Sequence, residues 1–173
     1  MPTAPDTAEP AAIVGPEWRP LPPAARKVFT LSGLLEGGLF GALIGALVAA
    51  VAVNDLGVRA VALVVVALGL FSALGALRGR MRWKQTRWRL ADAGLEVRRG
   101  RFWQSETLVP RSRVQHLDLV RGPIERRYGL ATLTVHTAGT RTHALSQAGL
   151  ADADAVALRD ALLPEANRND DAL

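Results

Sequence analysis

The chain contains no cysteine, which excludes disulfides, thiolate metal sites and cysteine nucleophiles and fits a reducing compartment. Enzyme signatures are missing as well. Ser105, Ser112 and Ser146 lack the strand-to-helix glycine setting of a nucleophile elbow, and there is no phosphate-cradling loop and no paired-carboxylate motif. Proline is nearly confined to one end, with seven of the ten prolines in residues 1–23. Such a segment, poor in large apolar groups, reads as a disordered cytoplasmic tail covering residues 1–27. Charge is the scarcest commodity in the middle of the chain. Residues 60–77 carry none, and residues 28–53 carry only Glu36.

Those two apolar runs organise everything else. A bilayer core takes about 20 apolar residues per helix, so 28–77 reads as a two-span hairpin closed by the polar stretch Asn54-Asp55-Leu56-Gly57. A buried helical hairpin of a soluble protein keeps a polar stripe for water, and residues 38–53 offer none. A cleaved signal peptide is not expected, because the first run starts near residue 28 and a second span follows. Arg26 and Lys27 precede the first span, while Arg78, Arg80, Arg82 and Lys84 follow the second. Positive flanks stay cytoplasmic, which predicts a multi-pass membrane protein with both termini cytoplasmic.

Gly33, Gly37, Gly41 and Gly45 recur every fourth residue, and small residues at that spacing let helix backbones approach closely. The simplest partner is the second span, through Gly69, Ala73 and Ala76; homo-oligomerisation through the same stripe is the alternative. An ionisable residue inside a span is a functional hypothesis by default. Glu36 nevertheless lies near the cytoplasmic end without a second intramembrane charge, and the structural reading, a side chain snorkelling toward Arg26 or Lys27, is favoured.

The net charge of +5 is unevenly distributed: residues 78–113 hold 11 basic and 3 acidic groups, while 114–173 hold 6 and 8. The excess sits just after the second span. It reads first as a topology determinant and an anionic-lipid contact. No recognition helix carries it, so nucleic acid is not an expected partner. Residues 78–84 form a basic juxtamembrane collar in which Arg78, Arg80, Arg82, Trp83 and Lys84 meet the headgroups, continued by Arg87 and Arg89.

Beyond the collar the periodicity changes to two. Thr86, Trp88 and Leu90 alternate with Arg87 and Arg89, and Asp92-Ala93-Gly94 makes a turn. Leu95 and Val97 then alternate with Glu96 and Arg98, and Gly100 reverses the chain into a strand over 102–109. Pro110 closes that strand, and 114–120 forms the next, with its inward face undetermined. Residues 122–129 form a loop with one helical turn. Leu133 and Val135 lie on a strand, Ala138-Gly139 is a hairpin turn, and 140–145 returns. Asp152 caps a helix whose apolar face is Ala155, Val156, Leu158, Leu162 and Leu163, ended by Pro164. Residues 85–164 thus form an α+β domain of six short strands and one covering helix, and 165–173 is a polar tail.

The stretch 88–163 resembles the bacterial pleckstrin-homology (PH) domain membrane proteins, the YdbS-like family. The resemblance rests on Asp92-Ala93-Gly94-Leu95 with Gly100, on Val109-Pro110-Arg111-Ser112-Arg113-Val114-Gln115, on Arg127-Tyr128-Gly129-Leu130-Ala131-Thr132, and on Thr137-Ala138-Gly139. It implies a two-helix transmembrane hairpin followed by a PH-like β-barrel or sandwich capped by its C-terminal α-helix. It also implies an adaptor or scaffold without established catalysis, a larger relative with several such domains as a candidate partner, and, for some members, a link to cell-envelope stress.

Three residue sets are weighed for function. Lys84, Arg87 and Arg89 imitate the cations of phosphoinositide-binding PH domains, yet beside a span a solvated or lipid-facing collar suffices. Arg98, Arg99 and Arg101, flanking Gly100, suit phosphate headgroups or an acidic partner, and equally a solvated turn. His116, His136 and His143 invite a metal, but a zinc site needs three or four ligands, and no metal or other cofactor is expected. The reading is a non-enzymatic membrane-anchored interaction protein that binds a protein partner and the anionic membrane surface. The alternative is a small subunit of a transport or envelope-maintenance complex.

Overall fold

The computed structural model describes residues 13–52, 57–101, 103–137 and 145–162. They fall into two units, a helical hairpin within 23–84 and a sheet domain built from the residues on either side of it.

In the hairpin, α1 (Pro23–Ala52) and α2 (Val58–Gln85) are longer than the uncharged runs. Pro23 is accommodated because a first-turn residue needs no N–H partner. Helix α2 continues through 78–84, so the basic collar is helical, as its strong helix formers Arg, Met and Lys favour. The loop anticipated at 54–57 lies mostly outside the described residues. Only 11% and 6% of the two apolar windows are buried, and Leu39, Val51 and Val58 stand 77%, 79% and 85% exposed. These helices therefore bury no soluble core; they are built to face lipid.

The glycine stripe lies against α2. A Cβ added at Gly33 would overlap the Gly75 carbonyl, one at Gly37 the Phe71 carbonyl, and one at Gly41 would come within 2.7 Å of the Ala67 oxygen. Gly45 faces Val64, and Gly79 of α2 faces Phe29. The counterpart on α2 is consequently Gly75 and Gly79 rather than Gly69, which has nothing within 4 Å. Phe40 meets Phe71 edge-on, with ring centroids 5.3 Å apart.

The sheet domain contains two antiparallel sheets. The first has the order β1 (Arg19–Pro20), β2 (Arg87–Ala91), β3 (Gly94–Arg99) and β4 (Ser105–Pro110). A single 3-10 turn, Arg111–Arg113, carries the chain to the second sheet, β5 (Val114–Val120), β6 (Leu130–Thr137) and β7 (Leu145–Ala151). Helix α3 (Pro123–Arg127) joins β5 to β6, and α4 (Asp152–Leu162) packs on the second sheet. The alternation read from the sequence places Trp88, Leu90, Leu95, Val97 and Val109 inside. Leu130, Leu133, Val135 and Leu150 line the other sheet, and Ala155, Leu158 and Leu162 of α4 are buried too. Each such leucine or valine contributes about 1.5–3 kcal/mol on burial. Gly94 adopts φ +145° opposite Pro110, where a side chain would strike the Val109 carbonyl.

Three expectations need correction. Residues 13–22 are not a free tail. Ile13 and Leu21 are buried, Val14 bridges Leu90, and β1 pairs with β2 as Arg19↔Trp88 and Pro20↔Arg87. Composition misled because prolines suit an edge strand that donates few ladder bonds. The strand after Gly100 begins at Ser105 rather than 102. Among the described residues the returning strand runs over Leu145–Ala151 and so extends past the 140–145 expected, because Ser146-Gln147-Ala148-Gly149 carries no apolar alternation yet lies in a strand that pairs with β6, with a register shift between Ala131 and Leu133; residues 140–144 lie outside the described residues. The hairpin turn at 138–139, His143, Leu163 and the polar tail lie outside the described residues.

Candidate functional site

The outer face of the first sheet carries the residues for which lipid or ligand contact is expected, and cross-strand register decides what they do there. Arg89 lies opposite Glu96 and binds it through Nη2 at 2.6 Å and Nε at 2.8 Å. Arg98 lies opposite Glu106, with contacts of 2.9 and 3.2 Å. Opposite charges placed directly across an antiparallel pair stabilise it by a few tenths to 1 kcal/mol. The N-terminal strap adds a clasp. The Arg89 guanidinium lies 4.5 Å and that of Arg98 4.6 Å from the Trp18 ring, and Arg89 also donates to the Pro16 carbonyl at 3.3 Å. Each cation–π contact of this partly exposed kind contributes about 0.5–1 kcal/mol. Asp154 in the first turn of α4 is raised above the usual carboxylate range by burial, an effect that the Arg19 cation opposes.

Arg99 has a different role from its neighbours. It shares strand parity with Leu95 and Val97, so it points between the sheets. There Nη2 and Nε donate to Gln147 Oε1 at 2.8 and 3.2 Å, and Nη2 donates to the Ser146 carbonyl. Gln147 is buried and donates to the Ala148 carbonyl at 2.8 Å. Arg99 therefore ties the two sheets together. Of the cluster Arg98, Arg99 and Arg101, only Arg101 is exposed with no ion pair or hydrogen bond among the described residues.

In the hairpin, Arg78, Arg80, Arg82 and Lys84 are exposed on the last turns of α2. Arg82 lies 5.2 Å from the Phe29 ring, and Arg26 lies 6.0 Å from Trp83. A groove of about 550 Å³ runs beside the Gly33–Gly75 contact, lined by Phe29, Glu36, Phe40, Phe71, Arg78 and Arg82 among others. Glu36 is exposed in this groove and makes no hydrogen bond or ion pair with any described residue. The snorkelling partners Arg26 and Lys27 are about three turns away along α1, some 15 Å at 1.5 Å per residue, too far for the two side chains to meet.

His116 and His136 meet on the second sheet. Their Nε2 atoms lie 2.7 and 3.0 Å from Asp118 Oδ1 and Oδ2, and the rings are 5.9 Å apart. The His116 hydrogen bond, opposed by desolvation and helped by that of His136, holds Asp118 below the usual carboxylate range. No metal-holding group of three or more ligands occurs among the described residues. Sequence reading missed Trp18 and Gln147; a tryptophan inside an otherwise small-residue, proline-rich segment was the one signal available for the strap.

Two lipid-facing helices followed by a two-sheet sandwich with a C-terminal helix define a membrane-anchored PH-like protein. The bacterial PH domain family matches residues 38–166, and the chain belongs to that family. It is 33% identical over 92 residues to the UPF0699 transmembrane protein YdbS of Bacillus subtilis (strain 168), a match covering 53% of this chain and 56% of the relative. The chain thus spans little more than half the length of that curated relative. No solved structure matches it.

Proposed function

We propose that the chain is a non-enzymatic adaptor of the bacterial cytoplasmic membrane. It crosses the bilayer twice with both termini inside and presents its PH-like domain to the cytoplasm, where it recruits a protein partner at the anionic membrane surface. The observation that carries this reading is Glu36, exposed in the hairpin groove without a partner among the described residues. A charged carboxylate within a span is unfavourable, and such groups pair or mark function. The groove offers Phe40 and Phe71 for packing beside Glu36, which suits a transmembrane helix of the partner bearing a cation or hydrogen-bond donor opposite that carboxylate. The exposed cations Arg78, Arg80, Lys84 and Arg87 add contact with anionic lipid. A larger membrane protein with several PH domains fits such a partner.

The test is isolation of the full chain from native membranes in mild detergent, with wild type compared with Glu36→Gln and Glu36→Leu. Specific co-purification that persists in Glu36→Gln and falls in Glu36→Leu supports a polar helix contact; no specific partner in any sample refutes the adaptor reading. Reporters fused after Leu173 and at the N-terminus are expected to read cytoplasm, and one at 54–57 the outside; a periplasmic C-terminus overturns the topology. The same carboxylate favours a second reading, a subunit of a transport or envelope-maintenance complex. In that case Glu36→Gln retains the partner and loses the complex's flux or stress phenotype.

A further inference from the structure

The tip between β3 and β4 combines an aromatic ring and a cation that make no hydrogen bond, ion pair or ring contact among the described residues. Trp103 is 91% exposed, an extreme for a side chain that usually buries most of its area. Arg101 is exposed and without an ion pair or hydrogen bond among the described residues. A single exposed ring carries little weight alone; its position in the sheet gives it meaning.

The register runs Pro20↔Arg87, Arg87↔Arg98 and Arg98↔Glu106 across the first sheet. One end of the sheet is therefore marked by Pro20, Arg87, Arg98 and Glu106, and the last pair before the tip, Arg99↔Ser105, lies just beyond that line. At this same end the chain passes from β1 to α1 within three residues and returns from α2 to β2 through Thr86 alone. The tip thus projects from the end of the sheet at which both covalent links to the membrane helices attach. The opposite end carries the turn at Asp92 and Ala93, which has no aromatic residue. Gly100 fixes the projection: it adopts φ +88°, and a side chain there would overlap the Trp103 carbonyl. Among the other cations near this end, Arg87 is exposed, whereas Arg98 and Arg99 are held by Glu106 and Gln147.

We propose that this tip is an interfacial membrane anchor, with the Trp103 indole seated among phospholipid headgroups and the Arg101 guanidinium on a lipid phosphate. Indole rings favour that depth because one edge is polar and the body apolar. Arginine pairs with phosphate through two N–H donors. The anchor adds a third attachment to the two covalent ones and holds the domain in one orientation on the leaflet. The proposal rests on the cytoplasmic, lipid-facing part of the reading above.

Because the natural chain has no cysteine, a single probe can be placed beside the intact ring. The full chain carrying Gln104→Cys, labelled with an environment-sensitive fluorophore, is reconstituted in vesicles of phosphatidylcholine with and without phosphatidylglycerol; Asp92→Cys serves as the control at the other end of the sheet. Quenching by lipid-borne nitroxide is expected at 104 and not at 92. Adding Trp103→Ala is expected to abolish it, and adding Arg101→Gln to lower the docked-to-free ratio about fivefold in anionic vesicles, the equivalent of about 1 kcal/mol per cation. A probe at 104 that iodide reaches as freely as at 92, with no lipid quenching, overturns the anchor. Protection from iodide without lipid quenching also overturns it, since that pattern marks a protein contact. Either failure leaves co-purification through Glu36 unaffected, so the two readings separate.

Discussion

Arg99 offers the sharpest test of the assignment of cations to structure rather than ligand. Arg99→Ala removes two donors to Gln147 Oε1 and one to the Ser146 carbonyl, and leaves a buried amide oxygen at Gln147 without its cationic partner. A hydrogen bond to a charged group contributes about 1.5–3 kcal/mol, and an orphaned buried acceptor costs about 1–3 kcal/mol. The three contacts share one guanidinium that is only part-buried, so solvent screening brings the whole to about 2–3 kcal/mol. With a urea m-value of about 1–2 kcal/mol/M for a domain of this size, the midpoint should fall by about 1–3 M. The measurement is equilibrium unfolding of the full chain in detergent micelles, followed by hydrogen exchange at the β6–β7 amides or by tryptophan emission, to which the buried Trp88 contributes. Arg99→Lys should recover at most a third of the loss, because an ammonium cannot reproduce the planar fork. An unchanged midpoint, together with lost binding to anionic vesicles, would refute the tie between the sheets and return Arg99 to the ligand cluster.

Three further outcomes are expected. Replacing Gly37 by leucine drives a side chain into the Phe71 carbonyl, and should lower the resistance of the hairpin to SDS unfolding, while Gly69→Leu, at an open position, should not. Trp18→Ala removes the ring between Arg89 and Arg98 and should make residues 13–22 the first site of limited proteolysis, with about 1–2 kcal/mol lost from two cation–π contacts; an unaltered digestion pattern would count against the strap. The Asp118 carboxyl, whose folded pKa is depressed by His116 and then His136, contributes stability that is complete above its unfolded value and lost as pH falls through the folded one. Carbon-13 titration of its carboxyl should show the depressed midpoint, which His116→Ala should raise more than His136→Ala.

How the sequence relates to the fold depends on whether a property follows from neighbours along the chain or from partners far away. The hairpin was legible because an uncharged run of that length has one stable environment, and the inward faces of β2, β3 and β6 followed from two-residue alternation about Trp88, Leu95 and Leu133. The glycine stripe was legible as a close-approach surface, but its counterpart was not: Gly69 and Gly75 look alike in sequence, and only the rotation of α2 about its axis chooses between them. Parity also held the clue to Arg99, in register with Leu95 and Val97, though not that Gln147 would lie across the core from it. Glu96 is nearly buried although it alternates as a surface residue, because Arg89 and the strap from residues 13–22 lie over that face, an association across 70 residues that local pattern does not encode. The pairing of His116 with His136 over Asp118 likewise needed the β5–β6 register, including its shift between Val114 and His116. Alternation, span length and charge asymmetry are written in consecutive residues, whereas the fate of each arginine depends on which carboxylate, amide or indole the folded chain brings opposite it.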